Sequence, residues 1–328
     1  MSSDLSGRLG CILRLAGLLA MLAIPAARAE FPDHPLRLVV GWPPGGNTDS
    51  TARIVAEGLS HVLKQTVVVD NKPGAAGMLG YDIVVKSPPD GYTMVLGATG
   101  ALAPAKALDV EMRFDPVKDF VSAGPIARAP LLLAVRPGLE VKNLAEFIAY
   151  AKARPGKLTM ATSGTGTAAH LAGELFQTMS GTKFLHVPYK GSSQAIADLL
   201  GGQVDLTFDQ PASTLSQIQA GKLHALAIAT RERSSLLPDL PTFGEAGLPG
   251  FEASTTSALM FPAATPPAVI QKINAALREI LRMPETKAKF ASLGNDIVEG
   301  APADFDNLLQ SDIQKWTKVV KDANVKLQ

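Results

Sequence analysis

The chain of 328 residues contains one cysteine, Cys11. It lies ahead of an N-terminal apolar run, so everything beyond that run has neither a disulfide nor a thiolate metal ligand. Aromatic residues make up 5% of the chain, too few for platforms that stack on sugar rings. The formal net charge is +1, which provides no broad field for nucleic acid or an anionic membrane surface. No apolar run reaches the roughly 20 residues needed to span a bilayer. There is no low-complexity tract and no repeat of short period. These absences leave a chain that depends on a buried core for its stability. They point to no nucleic-acid partner and no cofactor.

The first 29 residues read as a secretory signal peptide. Arg8 and Arg14 supply positive charge, Leu15 to Ile24 is almost uninterruptedly apolar, and Ala27-Arg28-Ala29 offers small residues to a signal peptidase. Cleavage before Glu30 removes three basic residues and one acidic one, leaving 28 basic against 29 acidic. The exported remainder, about 299 residues, suffices for one large domain or two medium ones.

Along that remainder short β-rich runs alternate with helical patterns. Leu36–Val40, Thr66–Asp70 and Thr93–Gly97 read as strands, with a helix bearing Ala52, Val55, Leu59, Val62 and Leu63 between the first two. The order β-α-β-α-β predicts a parallel sheet with right-handed crossovers. From Leu131 the pattern restarts. Strands at 131–135, 157–161, 184–187, 204–208 and 224–229 alternate with helices at 144–151, 167–180, 192–200 and 214–220. Ala253–Phe261 reads as a returning strand, followed by two closing helices. One start, one complete insert and one return predict two α/β lobes joined by two crossing strands with a ligand cleft between them, the alternative being a single larger sheet. The expected division is residues 30–127 with 252–328 for lobe one and 128–251 for lobe two.

The most telling stretch is Val40-Gly41-Trp42-Pro43-Pro44-Gly45-Gly46-Asn47-Thr48-Asp49. A strand that turns through glycines into a helix presents bare backbone N–H groups to an anion. Gly41 and Gly46 have the spacing of the glycines in G-x-x-x-x-G-K-[ST], but Asn47 stands where the phosphate-reaching lysine belongs. Pro43 and Pro44 have no N–H to donate. The turn therefore suits a smaller anion, such as a carboxylate, or serves only as a tight turn.

Ala161-Thr162-Ser163-Gly164-Thr165-Gly166-Thr167 repeats this logic in the second unit. Gly164, Gly166 and Ala169 fit a dinucleotide fingerprint, yet the next strand ends Val187-Pro188-Tyr189-Lys190 without the acid that holds a ribose. Ser163 lacks the flanking glycines of a hydrolase nucleophile elbow. What remains is a second helix N-terminus, rich in hydroxyls. Two such ends facing each other would form a neutral, donor-rich clamp suited to a carboxylate; the alternative is that the hydroxyls simply cap the helix. His170 and Glu174 have metal-ligand spacing but no third ligand nearby, so His170 reads as a structural residue, as does His186. Tyr189 is placed to line the cleft. Lys190 either pairs with an anion or is ordinary solvated charge. Asp209 ends a strand, and its role stays open.

Seven motifs in order carry a family resemblance. They are Pro44-Gly45-Gly46 with Asp49 and Arg53; Asp70 to Gly77; Pro89-Asp90-Gly91-Tyr92-Thr93; Ser163-Gly164-Thr165-Gly166 with His170; His186 to Gly191; Gly202-Gln203-Val204-Asp205; and Leu240-Pro241-Thr242 with Glu245-Ala246-Gly247. The chain resembles the Bug-type extracytoplasmic solute receptors of tripartite tricarboxylate transporters. That resemblance implies a monomeric, non-catalytic periplasmic receptor of the Venus flytrap type, with a fold like that of a type II periplasmic binding protein. It implies a small carboxylate as ligand and integral-membrane permease subunits as partners. Carried onto this chain, it places the ligand against Pro44 to Asp49 and Ser163 to Thr167, with Tyr189 and Asp209 bordering the pocket. Trp42 and Asn47 stand where the family commonly has Phe and Ser or Thr. Two other readings remain open at this point: an exported α/β hydrolase or transferase, and a receptor that feeds a membrane sensor.

Overall fold

The computed structural model describes residues 31–322 and residue 325, and the expected leader lies outside them. The fold begins at His34. Two sheets organise it. The first contains β1 (Leu36–Val40), β2 (Val67–Asn71), β3 (Thr93–Ala98), β4 (Phe120–Pro130), β10 (Ser254–Pro262) and β11 (Asp296–Ile297), in the order β11-β4-β10-β3-β1-β2. The second contains β5 (Leu132–Val135), β6 (Leu158–Thr162), β7 (Phe184–Pro188), β8 (Leu206–Asp209) and β9 (His224–Ile228), in the order β7-β6-β8-β5-β9. Each sheet belongs to one lobe of an α/β fold.

Both sheets are mixed. The expected parallel arrangement holds for β1 with β2 and β3, and for β6 with β7 and β8. β10 runs antiparallel to β3 and β4, and β5 antiparallel to β8 and β9. The antiparallel strands are the ones that carry the chain between lobes and so enter each sheet in the opposite sense. At the crossing, Leu131 N donates to Ala253 O (2.9 Å), Ala253 N to Ala229 O (3.1 Å) and Ala229 N to Leu131 O (2.8 Å). Three chain segments are thus tied together where the sheets meet.

Two elements next to the site are disguised in the sequence. β4 contains Gly124, Pro125 and Pro130, residues that argue against a central strand. It accommodates them through register shifts against β10 between Ser257 and Met260 and a left-handed Gly124 at φ 108°. The helix that follows β3 runs Thr99–Ala107 with Pro104 inside it, where proline removes a donor.

The scarce aromatics are concentrated in the cores. Phe147, Phe176, Phe208, Phe243 and Phe251 are buried in the second lobe, with the Phe243 and Phe251 rings 4.2 Å apart. In the first lobe Phe114 meets Phe120 edge-to-face at 5.5 Å, beside the buried Tyr81. Full burial of such rings contributes about 1.5–3 kcal/mol each. No helix among the described residues is long and apolar enough to cross a membrane.

Candidate functional site

Five helices begin directly after parallel strands. α1 (Asn47–Leu63) follows β1, α3 (Thr99–Ala107) follows β3, α5 (Ala168–Ser180) follows β6, α6 (Ser192–Leu200) follows β7 and α7 (Pro211–Gln219) follows β8. (α2 is Met78–Val85 and α4 is Leu144–Lys152.) Helices that leave the carboxyl ends of parallel strands start at the same sheet edge. Here the carboxyl edges of both sheets face one cleft. A cavity of about 600 Å³, counting its mouth, lies there.

Each of the five helix N-caps lines it: Gly46, Ala98, Thr167, Gly191 and Gln210. Only Thr167 has a side-chain cap, its Oγ1 accepting from His170 N at 3.4 Å; the other four helices start without one. Their first-turn N–H groups therefore lack an internal acceptor. No charged side chain lines the cavity. Its positive potential comes from helix ends, each worth roughly half an elementary charge. Thr255, on the crossing strand β10, also lines it and is buried. Its Oγ1 has no hydrogen-bond partner, and such a hydroxyl is costly unless something fills the space beside it.

The first turn is braced by charge. Trp42, Gly46, Asn47 and Thr48 line the cavity, whereas Pro44, Gly45 and Asp49 do not. The buried Asp49 carboxylate accepts from Gly45 N, from Arg53 Nε and Nη2, and from Asn71 Nδ2, all at 3.0 Å. Asn71 Nδ2 also donates to Trp42 O at 2.9 Å. Burial works to raise the Asp49 pKa, but these bonds, led by Arg53, hold it below the usual carboxylate value. Gly45 needs its left-handed φ of 91°. Gly41 serves close packing: a Cβ there would stand 2.4 Å from Gly77 O.

The second turn is braced without charge. Ser163 and Thr167 line the same cavity. Thr167 Oγ1 donates to Gly164 O at 2.8 Å, and Gly166 N donates to His170 Nδ1 at 3.2 Å. The His170 ring stacks on His186 with centroids 4.3 Å apart. His186 Nε2 shares a 2.6 Å bond with Thr162 Oγ1. Burial, reinforced by the neighbouring His186, pushes His170 down to about 4. It is therefore neutral near pH 7, and its Nδ1 is free to accept. His170 Nε2 lies 3.8 Å from Glu174, whose pKa is raised by burial. No group of three or more His, Cys, Asp or Glu among the described residues could hold a metal ion.

Gly164, Thr165, Gly166 and Tyr189 line a second, neighbouring cavity of about 990 Å³, counting its mouth. The Tyr189 hydroxyl donates to Asp198 Oδ2 at 2.6 Å. Burial and that carboxylate push it up to about 12, so it stays protonated. Asp209 sits behind the first cavity, buried, with Oδ1 accepting from Ser192 Oγ (3.0 Å) and Gln210 N (2.7 Å). Burial outweighs those bonds and pushes Asp209 up to about 6. Ser192 bonds Asp209 directly, with no imidazole between them. Ser193 Oγ reaches across the cleft to Pro44 O at 3.3 Å.

Sequence reasoning missed the N-termini of α3, α6 and α7 as parts of one site, along with Thr255. The strand-before-helix order was the available signal for the three helices; nothing marked Thr255.

Comparison with known proteins agrees with this architecture. The sequence pattern of the tripartite tricarboxylate transporter family receptor matches residues 51–325. Protein BugT of Bordetella pertussis is 36% identical over 321 residues, spanning 98% of this chain and 97% of that protein. The structure of R. palustris Rpa4515 with adipate superposes with a TM-score of 0.88 at 35% identity, covering 90% of this chain and 99% of the other. That of the periplasmic binding protein BugD superposes with a TM-score of 0.86 at 34% identity, covering 91% and 100%. The chain belongs to the tripartite tricarboxylate transporter receptor family.

Proposed function

We propose that this protein is a monomeric periplasmic receptor that captures a small organic carboxylate and delivers it to the integral-membrane permease subunits of a tripartite tricarboxylate-type transporter, without catalysing a reaction. The observation that carries this reading is the convergence of five helix N-termini, four of them uncapped, on a cavity free of charged side chains. A desolvated carboxylate needs several hydrogen bonds. The exposed first-turn N–H groups and the unpartnered Thr255 hydroxyl are donors of that kind. An anion at a partly buried helix N-terminus gains up to about 2 kcal/mol from each. The adipate named with Rpa4515 is a carboxylate of the expected kind.

In this reading Trp42, Gly46, Asn47, Thr48, Ser163 and Thr167 contact the ligand. Pro44, Gly45 and Asp49 shape the first turn, and Gly164, Thr165 and Gly166 shape the second. Tyr189 borders the site, and Asp209 holds Ser192 behind it. The lobes are residues 30–127 with 252–328 and residues 128–251. They hinge near Leu131 and Ala253 and close over the ligand. The leader at 1–29 directs export.

A thermal-shift panel of mono-, di- and tricarboxylates, amino acids and aromatic acids tests the reading. A ligand at 100 times its Kd stabilises by about 2.7 kcal/mol. Failure of every acid to shift the transition, even after unfolding and refolding to strip a co-purified ligand, contradicts it.

A further inference from the structure

The loop that follows the helix Pro284–Ser292 reaches the ligand site from behind. Gly294 holds a left-handed φ of 71°, and a Cβ there would stand 2.6 Å from Pro211 Cβ. The loop is therefore pressed against the first residue of α7, as close as glycine permits. Asn295 N donates to Phe290 O at 3.1 Å, and Asp296 enters β11 opposite Arg128. Between these anchors Asn295 is 5% exposed.

Its side chain meets the start of α1. Asn295 Nδ2 donates to Asn47 Oδ1 at 2.8 Å, and Thr51 Oγ1 lies 3.5 Å from the same nitrogen. Asn295 Oδ1 is buried without a partner. An apolar side chain of similar size would avoid that cost, so the amide is retained at the expense of an unmade hydrogen bond.

A side-chain amide has one acceptor end and one donor end. Asn47 commits its acceptor end to Asn295. Turning Asn47 over would set Nδ2 against Nδ2, two donors with no acceptor between them. Asn47 lines the ligand cavity, and its Nδ2 bonds none of the described residues. It therefore meets the cavity with donors alone: Nδ2 and the backbone N–H that opens α1. Asn295 itself does not line that cavity.

We infer, building on the carboxylate reading above, that Asn295 is a positioning residue for ligand binding. It holds the Asn47 amide with its nitrogen toward the ligand and its oxygen away. Without Asn295 the Asn47 oxygen is free to turn into the cavity, where it repels an anion and removes a donor.

Titration calorimetry on the full exported chain tests this with succinate, adipate, citrate and benzoate, using whichever acid the wild type binds most tightly. Asn295→Leu should weaken that acid about fivefold, and Asn47→Ala, which removes the donor itself, about tenfold. In the Asn47→Ala background no amide remains to be oriented, so adding Asn295→Leu should change affinity less than about twofold. Asn295→Ala, which cannot overpack the site, should show the same coupling to Asn47. Wild-type affinity in both Asn295 variants overturns this inference alone. So does an equal loss with and without the Asn47 amide, because Asn295 would then act through the fold. Wild-type protein that binds none of the four acids overturns the carboxylate reading and this inference with it.

Discussion

The two turns that face each other across the cleft do similar work with opposite chemistry. The first, Trp42 to Asp49, is held from behind by an ionised network of Asp49, Arg53 and Asn71. The second, Ser163 to Thr167, is held by neutral imidazoles, with His170 accepting from Gly166 N and stacking on His186. A carboxylate brace with a lowered pKa is indifferent to mild acid, whereas an imidazole brace works only while unprotonated. Neither brace places a charged side chain on the cavity wall. The difference also predicts that the two halves of the site fail under different perturbations.

Asp49→Ala should have the largest effect. It leaves the Gly45 N–H and the Asn71 amide without their shared acceptor, and breaking such a buried network costs about 2–3 kcal/mol. Urea denaturation should show that loss, and ligand binding should vanish with the turn. Gly46→Val comes next and acts on binding rather than on folding. Gly46 has φ −89°, which any residue adopts, and a Cβ there meets nothing within 4 Å. The valine therefore fills the ligand space without straining the fold. Affinity should fall at least about 100-fold, about 2.7 kcal/mol, with unfolding unchanged within about 1 kcal/mol. Unaltered affinity would make the turn merely structural.

The third effect sets the imidazole brace of the second turn against the buried Asp209 by pH. His170 has a folded pKa lowered to about 4 from 6.5. Its neutral form is favoured in the folded state, so its contribution is complete above pH 6.5 and is lost as pH falls toward 4. Asp209 has a folded pKa raised to about 6 from 3.8. Its contribution is complete below 3.8 and is lost as pH rises through 6. The two oppose each other across the same window. Relative to wild type, His170→Gln should therefore lose stability as pH rises from 4.5 to 6.5, and Asp209→Asn should gain it, each by about 2 kcal/mol. Denaturation at the two pH values checks both. Parallel behaviour of the two variants would contradict these opposed pH dependences. An anionic ligand should also bind more tightly at pH 5.5 than at 7.5, because Asp209 is protonated at the lower value, and Asp209→Asn should flatten that dependence.

The smallest effect is that of Thr255→Val, which removes an unpartnered hydroxyl while keeping its shape. Stability should hold or rise by up to about 1 kcal/mol. Affinity should fall five- to tenfold, about 1–1.4 kcal/mol, as read by calorimetry.

Much of this contrast is legible in the sequence. Gly-rich turns announce the N-termini of α1 and α5, because a strand that ends in glycines and hydroxyls has few other uses. The N-terminus of α6, at Gly191-Ser192-Ser193, carries one glycine and two hydroxyls, and that of α7, at Gln210-Pro211, lacks the signature, yet both line the same cavity. α7 begins at Pro211, three residues before the expected start at Thr214, because proline fits the first helical position where no N–H is needed. α3 was hidden by its internal Pro104 and β4 by its glycine and prolines, as tertiary packing overrides local propensity. Gly164 to Gly166 belong to the same loop as Ser163 and Thr167, yet they face the neighbouring cavity. Sequence spacing locates a loop but not the side of it that a ligand meets. Thr255 required the fold itself, since only the crossing of β10 brings residue 255 beside residues 46, 98 and 210.

A crystal structure with a bound acid tests the central claim most directly. The account predicts a carboxylate oxygen within about 2.7–3.2 Å of first-turn backbone N–H groups from helices of both lobes, and within reach of Thr255 Oγ1. An acid seated with none of its carboxylates on any of the five helix N-termini would contradict it.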